Sequence, residues 1–119
     1  MPEPWFRPEA HGLRATGVAV SPHAPGAQHG AAVAALVARA ADALASDEPM
    51  DITRITVDLT RMVPVGLVTV DTEVRRGGKR VQMIDVTVSV DGEARTRSEV
   101  LRTRRDDIVD VDHLPPQLD

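Results

Sequence analysis

The segment that most constrains the fold is one helix-forming stretch with almost no polar face. From His29 or Gly30 to about Ala45, apolar side chains recur at three- and four-residue steps, at Val33, Leu36, Val37, Ala40 and Leu44. Most intervening residues are alanine, the strongest helix former. Only Arg39 and Asp42 are charged before the stretch ends. A helix that is apolar nearly all round is expected to be buried, so we predict one central helix enclosed by other elements.

The chain after Pro49 alternates apolar and polar residues, which is the pattern of half-buried strands. The alternating apolar positions are Ile55, Val57 and Leu59, then Val68, Val70 and Val74, then Ile84, Val86, Val88 and Val90. A glycine turn at 76–79 and the Asp91-Gly92 pair are hairpin signals. Glu93 to Arg104 is predicted as the last strand. One buried helix followed by consecutive antiparallel strands is an α+β arrangement in which the sheet curls around the helix.

The domain organisation predicted for the 119 residues is a single unit. Residues 1–12 are rich in proline and charge and are expected to form an irregular lead-in, and 13–105 form the domain. Residues 13–20 are expected to hold a short edge strand before a loop at 21–30, and 106–119 form an acidic tail. The first residues lack a basic region followed by an apolar stretch, so we expect a cytoplasmic protein.

Charge and composition narrow the possible ligands. The chain has no cysteine, which excludes disulfides, a thiol nucleophile and zinc–thiolate sites. Net charge is −4, yet residues 75–105 hold nine bases and four acids, a local field that suits a phosphate-bearing ligand. Most of these arginines are expected on a solvated strand face. Nucleic acid is disfavoured because Trp5 and Phe6 are the only aromatic residues, so platforms for base stacking are missing.

Three segments together resemble the acyl-CoA thioesterase-like hotdog proteins. Ala27-Gln28-His29-Gly30-Ala31-Ala32 looks like the helix entry, and 55–66 (ITVDLTRMVPVG) is similar to the next strand and turn. Val74 to Gln82 (VRRGGKRVQ) resembles the hairpin that follows. The resemblance implies a hotdog fold, in which a curled antiparallel sheet wraps a central apolar helix. It also implies an acyl-CoA or related thioester as ligand, with coenzyme A as part of the substrate and no separate cofactor.

The resemblance is closest to the N-terminal unit of double-hotdog thioesterases, in which two units pack side by side in one chain. This chain holds one unit, so the resemblance implies either that a second copy supplies the partner hotdog unit, in a homodimer or higher oligomer, or that the chain is one half of something longer. In that family the catalytic Asp lies within the helix of the C-terminal unit. Here the middle of the helix, 34–40, contains no acid, and Asp42 lies near the helix end. The catalytic carboxylate is therefore not carried over.

Several residues are candidates for the chemistry of thioester hydrolysis. The backbone N–H groups of Gly30 and Ala31, at the helix start, could hold a developing oxyanion. Candidate catalytic residues are Gln28, His29 and Asp58. Gln28 could equally be a structural loop residue. The alternative for His29 is a loop histidine that caps the helix or bonds a backbone carbonyl, and the alternative for Asp58 is a solvent-facing residue. Candidates for binding the phosphates of coenzyme A are Arg75, Arg76, Lys79 and Arg80. The four histidines show no metal-ligand spacing, so no metal site is expected.

Three functions remain open on the sequence alone. The first is hydrolysis of acyl-CoA thioesters by an oligomer, supported by the helix entry and the basic region. The second is a non-catalytic hotdog unit that binds acyl groups or supports an active partner, supported by the missing helix acid. The third is a hotdog hydratase or dehydratase, suggested by the loop at 22–30, although its catalytic acid has no position here.

Overall fold

The structure, a computed structural model, describes residues 2–59 and 61–105. The predicted acidic tail, 106–119, lies outside the described residues. The strands are β1 (Phe6–Glu9), β2 (Gly12–Ala15), β3 (Met50–Val57), β4 (Leu67–Arg76), β5 (Val81–Val90) and β6 (Glu93–Arg104). A 3₁₀ turn (Gly17–Ala19) and the helix α1 (Gly30–Asp42) lie between β2 and β3. Within these residues, no helix is long and apolar enough to cross a membrane.

The six strands form one antiparallel sheet in the order β1-β2-β4-β5-β6-β3. The long strands β4, β5 and β6 lie at its centre, and α1 contacts these three and β3. One helix against a curled antiparallel sheet is the hotdog architecture, so the predicted fold class is confirmed. The span predicted for the last strand also agrees with β6.

The N-terminal lead-in is more ordered than the sequence suggested. Phe6–Glu9 forms β1, which pairs with β2 from Phe6 opposite Ala15 to Glu9 opposite Gly12. We expected an irregular segment because of its prolines and charges. Pro8 is accommodated because β1 is an edge strand, where one side of the backbone has no neighbour that needs its N–H.

The helix begins at Gly30 as predicted and ends at Asp42, a few residues before the expected end. Its buried side chains pack with those of β4, β5 and β6 in one apolar core; the helix contributes Ala32, Val33, Leu36, Val37 and Ala41. Ala31, Ala35 and Arg39 are exposed, so the expectation that other elements enclose the helix on most sides is wrong for the single unit. The sheet curls over one side of the helix only, and alanine exposes little apolar area on the other.

β3 is less buried than its alternating pattern indicated. Ile55 is 37% exposed and Leu59, beyond the end of the strand, is 51% exposed. β3 forms the second edge of the sheet, so among the strands that the structure describes none lies along its outer side. A register shift between Ile52 and Arg54 also changes which residues face the helix. The apolar alternation therefore marks an edge that is partly uncovered.

The Asp91-Gly92 hairpin has the geometry that its sequence demands. Both residues adopt positive φ, 50° for Asp91 and 83° for Gly92, as a two-residue hairpin of the primed type requires. The Asp91 N–H donates to the Leu67 carbonyl at 2.9 Å, and the Leu67 N–H donates to the Asp91 carboxylate at 3.2 Å. This turn therefore fixes the start of β4 beside the β5–β6 hairpin.

Candidate active site at the helix start

The loop that leads into α1 is tied on both sides by backbone hydrogen bonds. The Gln28 N–H donates to the Val63 carbonyl at 2.6 Å, and the His29 N–H donates to the Ala19 carbonyl at 2.6 Å. Isolated bridges pair Val20 with Gln28 and Ala27 with Pro64. The segment 27–29 is thus held between the 3₁₀ turn and the chain before β4, which fixes the position of the first helical turn.

His29 is the N-cap of the helix. Its Nδ1 accepts a hydrogen bond from the Ala31 N–H at 3.1 Å. The imidazole is exposed, and its ring centroid lies 6.4 Å from that of Trp5. A neutral ring whose Nδ1 accepts carries its proton on Nε2. The structure therefore places His29 at the site in a capping geometry, which uses the Ala31 donor within the chain.

Gly30 is the first residue of α1 and leaves its backbone accessible. Among the described residues, none accepts a hydrogen bond from the Gly30 N–H. A Cβ atom added at Gly30 would lie 3.2 Å from Cδ1 of Leu59. Apart from the chain neighbours of Gly30 and its own helix backbone, no other atom of residues 2–59 and 61–105 lies within 4 Å of that position. The helix macrodipole adds a partial positive charge at this end. Of the two candidate oxyanion donors, Gly30 is therefore the one still available.

Gln28 is buried, with 6% of its surface exposed. Its side-chain Nε2 donates to the Pro64 carbonyl at 3.0 Å, which fixes the orientation of the amide because the oxygen could not take that place. The Oε1 atom is buried and has no hydrogen-bond partner in the described part of the chain. An unpaired buried oxygen costs about 1–3 kcal/mol, so a donor from a water or a ligand would be favourable here.

Asp58 follows β3 and is held through its backbone. Its N–H donates to the Arg97 carbonyl at 3.4 Å, and its carbonyl accepts a hydrogen bond from the Thr96 hydroxyl. Its side chain is exposed and lines two cavities on the sheet, of about 630 and 310 Å³. The neighbouring Leu59, rather than Asp58, lies over Gly30. The single unit therefore brings Gln28, His29 and Gly30 together and leaves Asp58 beside them on the sheet.

The basic turn between β4 and β5 lies at the other end of the sheet. Arg75 is paired with Asp85 at 3.3 Å and with Glu99 at 3.0 Å. Lys79 lines a cavity of about 350 Å³ together with Asp47 and Glu48. Arg76 and Arg80 are exposed. The four residues predicted to bind phosphates thus form one exposed turn, but they do not adjoin the helix start.

Arg102 is buried, although the sequence predicts a solvated strand face for most of the arginines in 75–105. It is 2% exposed, and its Nη1 donates to the carbonyls of Ala41 and Leu44 at 3.0 Å each. Its Nη2 donates to the Gln82 Oε1 at 2.6 Å. The guanidinium therefore caps the carboxyl end of α1. The signal was present in the sequence, because Arg102 is in phase with Ser98 and Val100 on the helix-facing side of β6.

Comparison with solved structures finds the same fold in several thioesterases. A thioesterase from Thermus thermophilus, solved with coenzyme A and Zn, is 14% identical, with a TM-score of 0.64 over 79% of this chain and 76% of that one. A thioesterase from Haemophilus influenzae is 17% identical, with a TM-score of 0.64 over 81% and 70%. A conserved protein from Pseudomonas aeruginosa is 16% identical, with a TM-score of 0.67 over 84% and 88%. These likenesses show the hotdog fold.

Comparison at the level of families is more specific. No curated protein matches the chain. The family model described as acyl-CoA thioesterase N-terminal domain matches residues 19–104, which run from the 3₁₀ turn through α1 to the end of β6. The match therefore includes the helix start and most of the sheet. The chain belongs to the acyl-CoA thioesterase N-terminal domain family.

Proposed function

We propose that this domain hydrolyses acyl-CoA thioesters and that the start of α1 binds the thioester carbonyl. The observation that carries the proposal is the Gly30 N–H, which lies at the amino end of the helix without an acceptor among the described residues. A donor aimed at a developing oxyanion contributes about 3 kcal/mol to catalysis in well-studied enzymes. Because glycine has no side chain, the carbonyl can approach this backbone closely.

Gln28 and His29 are the polar side chains next to that donor. The free Oε1 of Gln28 can accept a hydrogen bond from a water molecule, and Pro64 holds the amide in place. His29 uses Nδ1 to cap the helix, which leaves Nε2 as the atom that can face a ligand. In the proposed mechanism these groups orient the attacking water, and a carboxylate acts as the general base that takes the proton of that water.

The described helix cannot supply that carboxylate near its start, because its only acid is Asp42 at the other end. We therefore propose that the site is completed by a second hotdog unit. The open edge of β3 supports this proposal, since an unpaired edge strand presents free N–H and C=O groups to a partner. Exposed apolar side chains lie along and after this edge, namely those of Ile55, Leu59 and Met62. Asp58 follows the same edge, so the assembly would bring a carboxylate to the interface.

The proposal is tested by measuring turnover of acyl-CoA substrates of different chain lengths by the native protein. We expect hydrolysis, and we expect Gln28→Ala, His29→Ala and Asp58→Asn each to lower kcat at least tenfold without unfolding the protein. Arg7→Gln, which removes an exposed arginine of β1, serves as the matched control. Absence of turnover with every chain length, for a folded and assembled protein, would refute the proposal. Light scattering that shows a monomer at micromolar concentration would refute the proposed second unit.

A second candidate function is a non-catalytic unit that binds acyl groups or supports an active partner. The absence of an acid from the first part of α1 favours it. Saturable binding of an acyl-CoA without hydrolysis would support this function, and loss of a measured hydrolysis in Gln28→Ala would refute it. The cytoplasmic location expected from the sequence also remains a proposal, which fractionation of cells that produce the protein would test.

A further inference from the structure

We propose that a cavity formed by the end of β3 and the start of β6 binds the phosphate groups of the thioester's carrier. This inference rests on the proposed function. The cavity has a volume of about 310 Å³ and is lined by Asp58, Ala94, Thr96 and three arginines, Arg61, Arg95 and Arg97. We call it the arginine cavity. Its lining carries a formal charge of +2, because Asp58 is the only acid among these six residues.

The arginines of this cavity have unused hydrogen-bonding capacity. Within the described part of the chain, neither Arg61 nor Arg97 forms an ion pair or a side-chain hydrogen bond, and both are exposed. Arg95 pairs with Glu93 through Nη2 at 3.2 Å, while its Nε is buried without a partner. Guanidinium groups recognise phosphate through pairs of charge-assisted hydrogen bonds. A phosphate in the cavity would therefore find donors that the fold leaves unpaired.

Two contacts show that the arginine cavity lies near the start of the helix. The Asp58 N–H donates to the Arg97 carbonyl at 3.4 Å, which ties the cavity wall to the residue before Leu59. Cδ1 of Leu59 lies 3.2 Å from the position of a Cβ at Gly30. Arg97 faces away from the helix, so a ligand whose carbonyl lies at Gly30 would pass Leu59 beyond the end of β3 and place its charged end in the arginine cavity on the outer side of β6.

The basic segment 75–80, the other candidate for phosphate binding, is less suitable in its charge and in its position. Arg75 is already paired with Asp85 and Glu99, and the cavity at Lys79 is lined by two acids. β4 has ten residues, so at about 3.3 Å per residue the turn lies about 30 Å from the start of β4. The arginine cavity lies at the same end of the sheet as the start of β4, because β6 begins just after the turn at which the Asp91 N–H donates to the Leu67 carbonyl.

The arginine cavity would recognise a phosphate ester in a ligand that also carries a thioester. That phosphate could belong to the nucleotide part of coenzyme A or to a phosphopantetheine group, which has a single phosphate. We commit to coenzyme A, since three arginines exceed what one phosphate monoester requires. S-acyl-pantetheine, which has no phosphate, and S-acyl-4′-phosphopantetheine, which has one, separate these cases from acyl-CoA.

The test compares KM for these three substrates in the native protein, in Arg97→Gln and in Arg61→Gln/Arg97→Gln. We expect KM for acyl-CoA to rise about threefold in the single variant and at least tenfold in the double variant, with kcat unchanged. KM for S-acyl-pantetheine should be the same in the variants as in the native protein. The rise in KM for S-acyl-4′-phosphopantetheine should be smaller than the rise for acyl-CoA. An equal loss for S-acyl-4′-phosphopantetheine and acyl-CoA would overturn the choice of coenzyme A. Arg7→Gln is the matched control.

A binding measurement keeps this inference separate from the proposed function. Calorimetric titration with free coenzyme A and with adenosine 3′,5′-bisphosphate needs no turnover. If thioesters are not hydrolysed but coenzyme A binds in an Arg97-dependent manner, the proposed function fails and the inference stands. The inference is overturned if coenzyme A does not bind. It is also overturned if Arg97→Gln weakens the binding of S-acyl-pantetheine as much as that of acyl-CoA, or if KM for acyl-CoA rises in Arg76→Gln/Arg80→Gln and not in Arg97→Gln.

Discussion

Replacing Arg102 by methionine tests whether the carboxyl end of the helix depends on a charged side chain from the last strand. Methionine fills a similar volume but cannot donate a hydrogen bond. The substitution removes three hydrogen bonds, those to the carbonyls of Ala41 and Leu44 and to the side-chain oxygen of Gln82, while the Ala41 carbonyl keeps the bond from the Leu44 N–H at 3.3 Å. All three lie at the point where α1 ends and β5 and β6 pass beneath it.

The size of the effect follows from two opposing contributions. A hydrogen bond to a charged group contributes about 1.5–3 kcal/mol, so three such bonds would account for well over 4 kcal/mol. Removing a buried charge recovers part of its desolvation penalty, which offsets part of this loss. We expect the free energy of unfolding to fall by about 3 kcal/mol. For a chain of 119 residues, that corresponds to a decrease in Tm of about 12 °C.

Urea denaturation followed by circular dichroism measures this change, with thermal unfolding as a second readout. Arg7→Met is the matched control, since Arg7 is exposed and lies 3.9 Å from Glu3; we expect a change below about 0.5 kcal/mol. A double-mutant cycle with Gln82→Leu should give a coupling of about 1–2 kcal/mol. A loss below about 1 kcal/mol in Arg102→Met, or no coupling to Gln82, would contradict the capping role.

Three further predictions concern Gly30 and His29 at the helix start and the Glu9–Arg14 ion pair of β1 and β2. Gly30→Ala should change the free energy of unfolding by less than about 1 kcal/mol, because the exposed Leu59 side chain can move aside, yet it should lower kcat for acyl-CoA at least tenfold. His29→Ala should cost about 1 kcal/mol of stability, and His29→Asn should restore the stability by capping the helix without restoring hydrolysis. The hydrogen bond from Arg14 lowers the pKa of Glu9, so its contribution to stability is present above the ordinary pKa of glutamate and is lost as the pH falls through the lowered pKa. Titration by NMR should place the Glu9 midpoint below 4.5, and in Arg14→Gln the midpoint should return towards that value.

The periodicity of the sequence predicted the architecture because the core depends on repeating positions. Val33, Leu36 and Val37 define the buried side of the helix, and the alternating valines of β5 define the face that it covers. The Asp91-Gly92 turn was predictable from residue type, since positive φ at both positions restricts what can stand there. These features depend on local spacing, which the sequence displays directly.

Features that depend on sheet order were not predictable in the same way. The position of β3 at an edge leaves Ile55 exposed although its alternation is that of a half-buried strand. The pairing of β1 with β2 orders a segment whose prolines suggested irregular structure. For the candidate site, residue types pointed to Gln28, His29 and Gly30. Only the structure showed that Gln28 is fixed by Pro64 and that Arg61, Arg95 and Arg97 line one cavity.

Charged residues that face the solvent alternate with residues that face the helix along β6, and this alternation affects the register in which β6 pairs with its neighbours. Arg97 and Glu99 face away from the helix, whereas Ser98, Val100 and Arg102 face it. A shift of one residue would place Arg97 and Glu99 beneath the helix and carry Arg102 out to the solvent. The wrong alignment would therefore bury two charges and remove the hydrogen bonds from Arg102 to the carbonyls of Ala41 and Leu44. The buried arginine thus disfavours misaligned pairings while the sheet assembles, an effect distinct from any stability that it adds to the finished fold.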